Sequence, residues 1–408
     1  MSLSKENKYP EIRFKGFTET WEQRKFFDNI ETTIDFRGRT PKKLGLDWSE
    51  KGYLALSALN VKNGFIDPKA DAHYGNQTLY NKWMGGRELR KGQVLFTTEA
   101  PMGNVAQVPD DQGYILSQRT IAFEVKCDKM TNNFLSILLR SPKAFNELTS
   151  LSSGGTAKGV SQKSLSHFNV IVPTDLEEQQ KIGLLFKKLD NAIALHQGKL
   201  DKLKNLKKAY LQVLFPSKEE DTPKMRFTNF NESWEQRELG EIAQLTMGQS
   251  PNGKNYTNNQ NDYILVQGNA DMKNGKVVPR VWTTQVTKTA MPNDIILSVR
   301  APAGDVGKTD YSVVLGRGVA GIKGNEFIYQ TLLRLKRVGF WAKYTTGSTF
   351  ESINSKDLKK ALIYIPSENE QFQIGEFLKK IDNTIALHQE KLDKLFILKK
   401  AYLKMMFI

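Results

Sequence analysis

The sequence holds a single cysteine, Cys127, among its 408 residues. One thiol cannot close an intrachain disulfide or build a cysteine metal site, which suits a reducing compartment. Histidine is nearly as scarce: His73, His167, His196 and His388 form no Cys/His cluster with zinc-ligand spacing. Long apolar runs are missing as well. Phe134–Leu139 is about the longest, against the eighteen or so residues of a membrane span. Met1 to Lys8 lack the apolar core of a secretory signal. These shortages predict a soluble cytoplasmic protein with no membrane association and no metal of its own.

Catalytic signatures are equally thin. No Asn-Pro-Pro-aromatic motif occurs, and no Gly-x-Gly loop follows a strand with an acidic residue downstream, as nucleotide and methyl-donor pockets require. Gly304-Asp-Val-Gly307-Lys308-Thr309 imitates a phosphate loop but carries Pro302 where the motif needs its first glycine. Gly154-Gly155-Thr156-Ala-Lys158-Gly159 follows a predicted helix, not a strand, and is expected to be a turn. No acidic pair with a nearby lysine suggests a nuclease centre. The chain is therefore expected to be no enzyme, with no catalytic residues and no bound cofactor. The alternative is a stand-alone methyltransferase or nuclease with an unrecognised site; a helical scaffold without a DNA role is a third reading.

What the sequence does have is positive charge, a net +15 with 59 Lys and Arg. Clustered cations neutralise phosphates and release counterions, so a polyanion partner is the natural inference. The surplus divides as +5 in residues 1–175, +4 in 176–216, +5 in 217–367 and +1 in 368–408. No single tail carries it, which suits two similar binding faces better than one basic arm.

The strongest signal is an internal repeat. Pro10-Glu-Ile-Arg13-Phe14-Lys-Gly-Phe17-Thr-Glu-Thr-Trp21-Glu-Gln-Arg24 returns as Pro223-Lys-Met-Arg226-Phe227-Thr-Asn-Phe230-Asn-Glu-Ser-Trp234-Glu-Gln-Arg237. Ile182–Phe215 returns as Ile374–Phe407, including Lys-Leu-Asp-Lys-Leu at 199–203 and 391–395. Between these anchors the halves agree only in outline, as in Ala100-Pro-Met-Gly103 against Ala301-Pro-Ala-Gly304. A kept frame with diverged inserts divides the chain into two variable domains, 1–175 and 217–367, each followed by a helix, 176–216 and 368–408. The polar, proline-bracketed stretch 215–223 is the expected linker.

Apolar residues recur at heptad position a in both helices: Ile182, Leu189, His196, Leu203 and Tyr210, then Ile374, Ile381, His388, Leu395 and Tyr402. One stripe needs a partner, so the two copies are expected to pack on each other with knobs-into-holes contacts. The variable segments read as mixed α/β. Strands are expected at 53–56, 94–97, 170–172, 263–266, 295–299 and 363–365, and helices over 131–151 and 326–344. The predicted fold class is thus α/β, with two duplicated domains separated by two long helices.

Candidate contact residues lie in glycine-rich loops. Arg37, Arg39, Thr40, Lys42 and Lys43 concentrate cations after Phe36, whereas the matching loop offers Gln249, Asn252, Lys254, Asn255 and Tyr256. Arg and Lys read guanine edges and Asn and Gln read adenine edges, so the exchange suits two readers with different targets. Asn76, Gln77, Trp83, Arg87 and Arg119 join the first set; Gln267, Asn269, Arg280, Trp282, Arg300 and Arg317 join the second. Repeated Trp21 and Trp234 belong to the scaffold.

The duplicated order resembles the specificity subunits of type I restriction-modification systems, and the likeness spans essentially the whole chain. Its carriers are Arg-Phe-x-x-Phe-x-x-x-Trp at 13–21 and 226–234, the Val-Pro and Ile-Pro turns at 172–173 and 365–366, and the Lys-Leu-Asp-Lys-Leu helices. The resemblance implies two target recognition domains, each reading one half of a bipartite double-stranded DNA site. It further implies an antiparallel helix pair that sets the spacer and docks two methylation subunits. S-adenosylmethionine would then sit on those subunits, and ATP and Mg on separate restriction subunits.

Overall fold

The computed structural model describes residues 9–154, 158–217, 220–344 and 352–408. Met1 to Lys8, part of the Gly154–Gly159 turn and part of the linker at 215–223 lie outside the described residues.

Two compact units form, one of residues to Gln197 with Glu390–Ile408, the other Gly198–Gln389. Each is closed by the repeated segments. In the first, the strand Glu22–Lys25 pairs antiparallel with Asn169–Val172, and in the second Glu235–Glu238 pairs with Leu362–Ile365. Trp21 and Trp234, one residue before these strands, are buried in their cores against Phe134 and Phe327. The repeated arginines have matching work. Arg13 makes a two-pronged ion pair with Glu178 (2.6 and 2.8 Å), and Arg226 makes the same pair with Glu370 (2.9 and 2.7 Å). Both glutamates are buried at the start of a long helix, where an acidic side chain suits the helix dipole.

Inside each clasp lies a central antiparallel sheet. In the first unit its order is Ile30–Asp35, Thr120–Val125, Val94–Thr97, Val105–Gln107. In the second, Gln244–Met247, Val319–Lys323, Ile295–Ser298 and Val306–Lys308 repeat that antiparallel order, and two short strands extend it to six, the first of them, Lys276–Val277, parallel to Val306–Lys308. A smaller sheet flanks each, with one parallel pairing: Tyr53–Leu56 beside Ile115–Leu116, and Tyr263–Val266 beside Val313–Leu315. The fold is mixed α/β, duplicated.

The expected helix over 131–151 is two helices, Asn132–Leu138 and Pro142–Ser150. Pro142 cannot continue a helix but starts one well, and Ser141 caps it through Ala144 N. Likewise Glu326–Arg337 ends before a separate 3-10 turn, Phe340–Tyr344.

The long helices run from Leu176 to Val213 and from Glu368 to Met405. Their segments cross antiparallel within each unit. In the first, Phe186 meets Phe407 and Asp190 bonds Lys399; in the second, Tyr210 meets Phe377 and Lys207 bonds Asp382. Asp190 and Asp382 are the same repeat position, as are Lys399 and Lys207, so the pairing is reciprocal. Of the heptad a residues, Ile182, Leu189 and Ile374 are buried, and the other seven are half-buried. Each helix also contains a glycine at a close approach. A Cβ on Gly183 would lie 2.5 Å from Asn133 Cβ, and one on Gly375 3.0 Å from Glu326 Cβ.

Candidate nucleic-acid interface

Strand register decides where the candidate loops meet. Ile121 pairs with Asp35 and Thr120 with Thr97, so the loops after Asp35, after Thr97 and before Thr120 gather at one end of the first central sheet. Met247 pairs with Ala320 and Ser298 with Val319, which gathers the equivalent loops of the second unit at the equivalent end. The frame is common. The side chains on it are not.

In the first unit this end carries Arg37, Arg39, Thr40, Lys42, Lys43 and Arg119. Arg37 is tied to Asp35 (Nε to Oδ2, 2.7 Å), and Lys43 Nζ donates to Gly38 O at 2.7 Å. Thr40 Oγ1 accepts from Lys43 N. Lys42 is exposed in a short 3-10 turn. Arg39 and Arg87, far apart in sequence, are brought together over one ring. Their guanidinium carbons lie 4.3 and 4.7 Å from the centroid of buried Phe36. Arg39 also donates to Trp83 O, and its own carbonyl accepts from Gln118 Nε2. Arg119 sits at positive φ, with Glu99 3.9 Å away.

Two candidates here do other work. Trp83 is buried and donates to Leu116 O at 2.9 Å, so it is a core residue and no contact. Asn76 caps the helix Gln77–Met84 through Leu79 N. Gln77 is exposed, bonded to Tyr53 and Asn81.

In the second unit glycines let three backbone segments close together. A Cβ on Gly248 would sit 2.1 Å from Gly316 O, and one on Gly318 2.0 Å from Gln267 O. Gln249, Gln267 and Arg317 are thereby neighbours, linked through Gln249 N to Leu315 O, Gly316 N to Val266 O and Arg317 N to Ser250 Oγ. Exposed Arg300 lies two residues past Ser298, where the first unit has Glu99. A second group is stitched by Gln285, whose Oε1 accepts from Asn252 N (2.8 Å) and Asn255 Nδ2 (2.7 Å). Lys254 and Tyr256 are exposed beside it, and half-buried Trp282 lies on the neighbouring strand. Asn269 and Arg280 form a third group, Arg280 donating to Ala270 O at 3.0 Å with Asp271 3.6 Å away.

Sequence reasoning missed three organisers: Phe36, Gln118 and Gln285. Phe36 had a signal, being an aromatic residue directly before an Arg-x-Arg. The glutamines had none, because their partners are distant in the chain.

Among the described residues no cluster of His, Cys, Asp and Glu could hold a metal ion. The phosphate-loop look-alike is a strand, Val306–Lys308, with Lys308 Nζ bonded to Glu326 at 2.5 Å. No described helix is long and apolar enough to cross a membrane.

Comparison with known proteins accords with this frame. The MjaX specificity subunit of a type I restriction enzyme from Methanocaldococcus jannaschii is 26% identical over 428 residues, covering 100% of this chain and 97% of that one. The crystal structure of the type I restriction-modification S subunit from M. genitalium superposes with a TM-score of 0.71 at 15% identity, over 98% of this chain and 99% of that one. A chain solved in work on complex assembly and conformational transition of the type I restriction-modification system matches with a TM-score of 0.50 at 23% identity, over 94% and 96%. The family model for the type I restriction modification DNA specificity domain matches twice, at residues 18–205 and 231–395. Those two matches span most of the sequence, and the chain belongs to the type I restriction-modification DNA specificity family.

Proposed function

We propose that each unit reads one half of a bipartite, asymmetric double-stranded DNA site, and that the paired helices set the spacer and dock two methylation subunits. The division into recognition domains 1–175 and 217–367 with helices 176–216 and 368–408 belongs to this reading. The observation that carries it is the equivalent sheet end in both units: cations over Phe36 in one, amides and glycines in the other. A shared backbone frame with exchanged hydrogen-bonding chemistry is what two different base sequences demand. The chain supplies specificity, and catalysis belongs to partner subunits. S-adenosylmethionine would be held by the methylation subunits, and ATP and Mg by restriction subunits joined through the complex, in the cytoplasm.

Methylome sequencing of a host carrying this chain with its methylation subunits tests the reading. The expected target is asymmetric and in two parts, and exchanging residues 217–367 for another recognition domain should change one half only. A symmetric target, or a change in both halves, overturns the assignment.

A further inference from the structure

We infer that Phe36 is a positioning residue that holds Arg39 as a guanine-reading fork in the first half-site, with Arg87 beside it on a phosphate. The inference rests on the DNA reading above and assigns the chemistry of one part of it.

The charge pattern comes first. Of the cations around this sheet end, Arg37 is neutralised by Asp35, and Arg119 has Glu99 within 4.0 Å. Among the described residues, neither Arg39 nor Arg87 has a carboxylate within that distance. Two guanidiniums within 5 Å of one ring centroid repel each other. An electron-rich partner arriving from solvent would relieve that repulsion.

Geometry then divides the two roles. A phosphate asks only for charge, which a lysine or a loosely held arginine supplies. A guanine edge offers two acceptors, O6 and N7, and asks for a planar fork at a fixed angle. Arg39 is held in that manner. Its guanidinium stacks on Phe36, one N–H is taken by Trp83 O, and its carbonyl is anchored by Gln118. The anchors are themselves rigid, since Phe36 and Trp83 are both buried and Trp83 is bonded to Leu116 O. With Nη1 engaged by Trp83 O, the Nε and Nη2 N–H groups remain as a planar pair, the fork that a guanine edge needs. Arg87 is exposed and shares only the ring, so it can follow a backbone phosphate.

The test uses the full chain assembled with its methylation subunits, and duplexes carrying the methylome-defined site or each single-base change in its first half. Arg39→Lys keeps the charge and loses the fork, and Phe36→Leu keeps an apolar core residue and loses the platform. Both should flatten discrimination at the same guanine by about 10- to 100-fold. The second half-site should be read as before, which shows that the variants are folded. Arg87→Ala should weaken all duplexes alike and lower the salt slope by about one unit. The inference is overturned if Arg39→Lys keeps the wild-type preference at every first-half position. It is also overturned if Phe36→Leu, reading its second half-site normally, shows no loss at the guanine lost in Arg39→Lys. Should Phe36→Leu not fold, Phe36→Met, which keeps more of the buried volume and still lacks the ring, takes its place in the same assay. A wild-type complex with no sequence preference at all would instead refute the DNA reading itself.

Discussion

Removing Asp190 should destabilise its unit more than removing Asp382 destabilises the other, although the two aspartates are repeat equivalents. Asp190 accepts from Arg140 (2.7 and 3.3 Å) and Lys399 (2.5 Å). Arg140 is a nearly sealed guanidinium, its side chain only 5% exposed, and Lys399 is 16% exposed. Asp190→Ala strands two cations, one of them with almost no access to water, for which about 3–5 kcal/mol is the usual cost. Asp382 faces one cation, Lys207 at 2.6 Å, and the neutral Gln330 at 2.8 Å. Gln330 keeps a second acceptor in Glu326, so Asp382→Ala should cost about 1–2 kcal/mol. For a unit of about 200 residues the first change should lower the melting midpoint by about 6–20 °C and the second by a few degrees. Calorimetry of the two single variants measures both. Adding Arg140→Met to Asp190→Ala should recover much of the loss, because the stranded guanidinium is gone. The pH dependence follows the same carboxyl. Burial would push Asp190 upward, but the hydrogen bond and charge of Arg140, with the charge of Lys399, outweigh it and hold the group below its ordinary value. Its stabilisation is therefore present above the ordinary value near 4 and is lost as pH falls through the lowered one. Asp190→Ala should lack that acid-dependent component. Equal losses for the two aspartates, or an Asp190→Ala loss under about 1 kcal/mol, would refute the reasoning.

Glycine position within one helix gives opposite signs: Gly183→Ala, meeting Asn133 and the backbone at 2.5–2.9 Å, should destabilise by about 1–3 kcal/mol, whereas Gly198→Ala, with nothing within 4 Å, should stabilise by up to about 1 kcal/mol. Urea unfolding distinguishes them, and the same sign for both would remove close approach as the reason for Gly183. Inserting four residues after Asp201, about one helical turn, should lengthen the preferred DNA spacer by one to two base pairs with both half-sites kept. A two-residue insertion rotates the stripe by about 200° and should abolish assembly, and an unchanged spacer with full methylation in the four-residue variant would show that the helices are not the ruler.

The frame was legible because its residues do their work twice. Arg13 and Arg226 each close on a buried glutamate, Trp21 and Trp234 each fill a core, and Asp190 and Asp382 each tie the two helices. A buried partner leaves little freedom for substitution, so both copies stay alike and the repeat is visible by eye. The break at Leu139–Ser141 was also written, in Ser141-Pro142, but the apolar run Phe134–Leu139 before it hid it. The small flanking sheets were harder. Strands of two residues such as Ile115–Leu116 have no periodicity to read, and they exist only because a distant strand pairs with them.

The candidate interface was legible only in kind, for the opposite physical reason. Most of its residues are exposed, and the partners of those that are held, such as Trp83 O and Gln118 for Arg39, are distant in the chain, so the sequence shows loops rich in Arg, Asn, Gln and Gly without saying which side chains converge. Arg39 and Arg87 are 48 positions apart and meet only because the helix Gln77–Met84 and the Gly85-Gly86 turn that ends it bring Trp83 and Arg87 to the loop after Asp35. Gln249, Gln267 and Arg317 meet only because Gly248, Gly316 and Gly318 lack side chains. Convergence of that sort is set by strand register, and register is fixed by the buried frame. The duplicated core therefore fixes where the candidate loops converge, and the side chains exposed on them are free to differ between the two units.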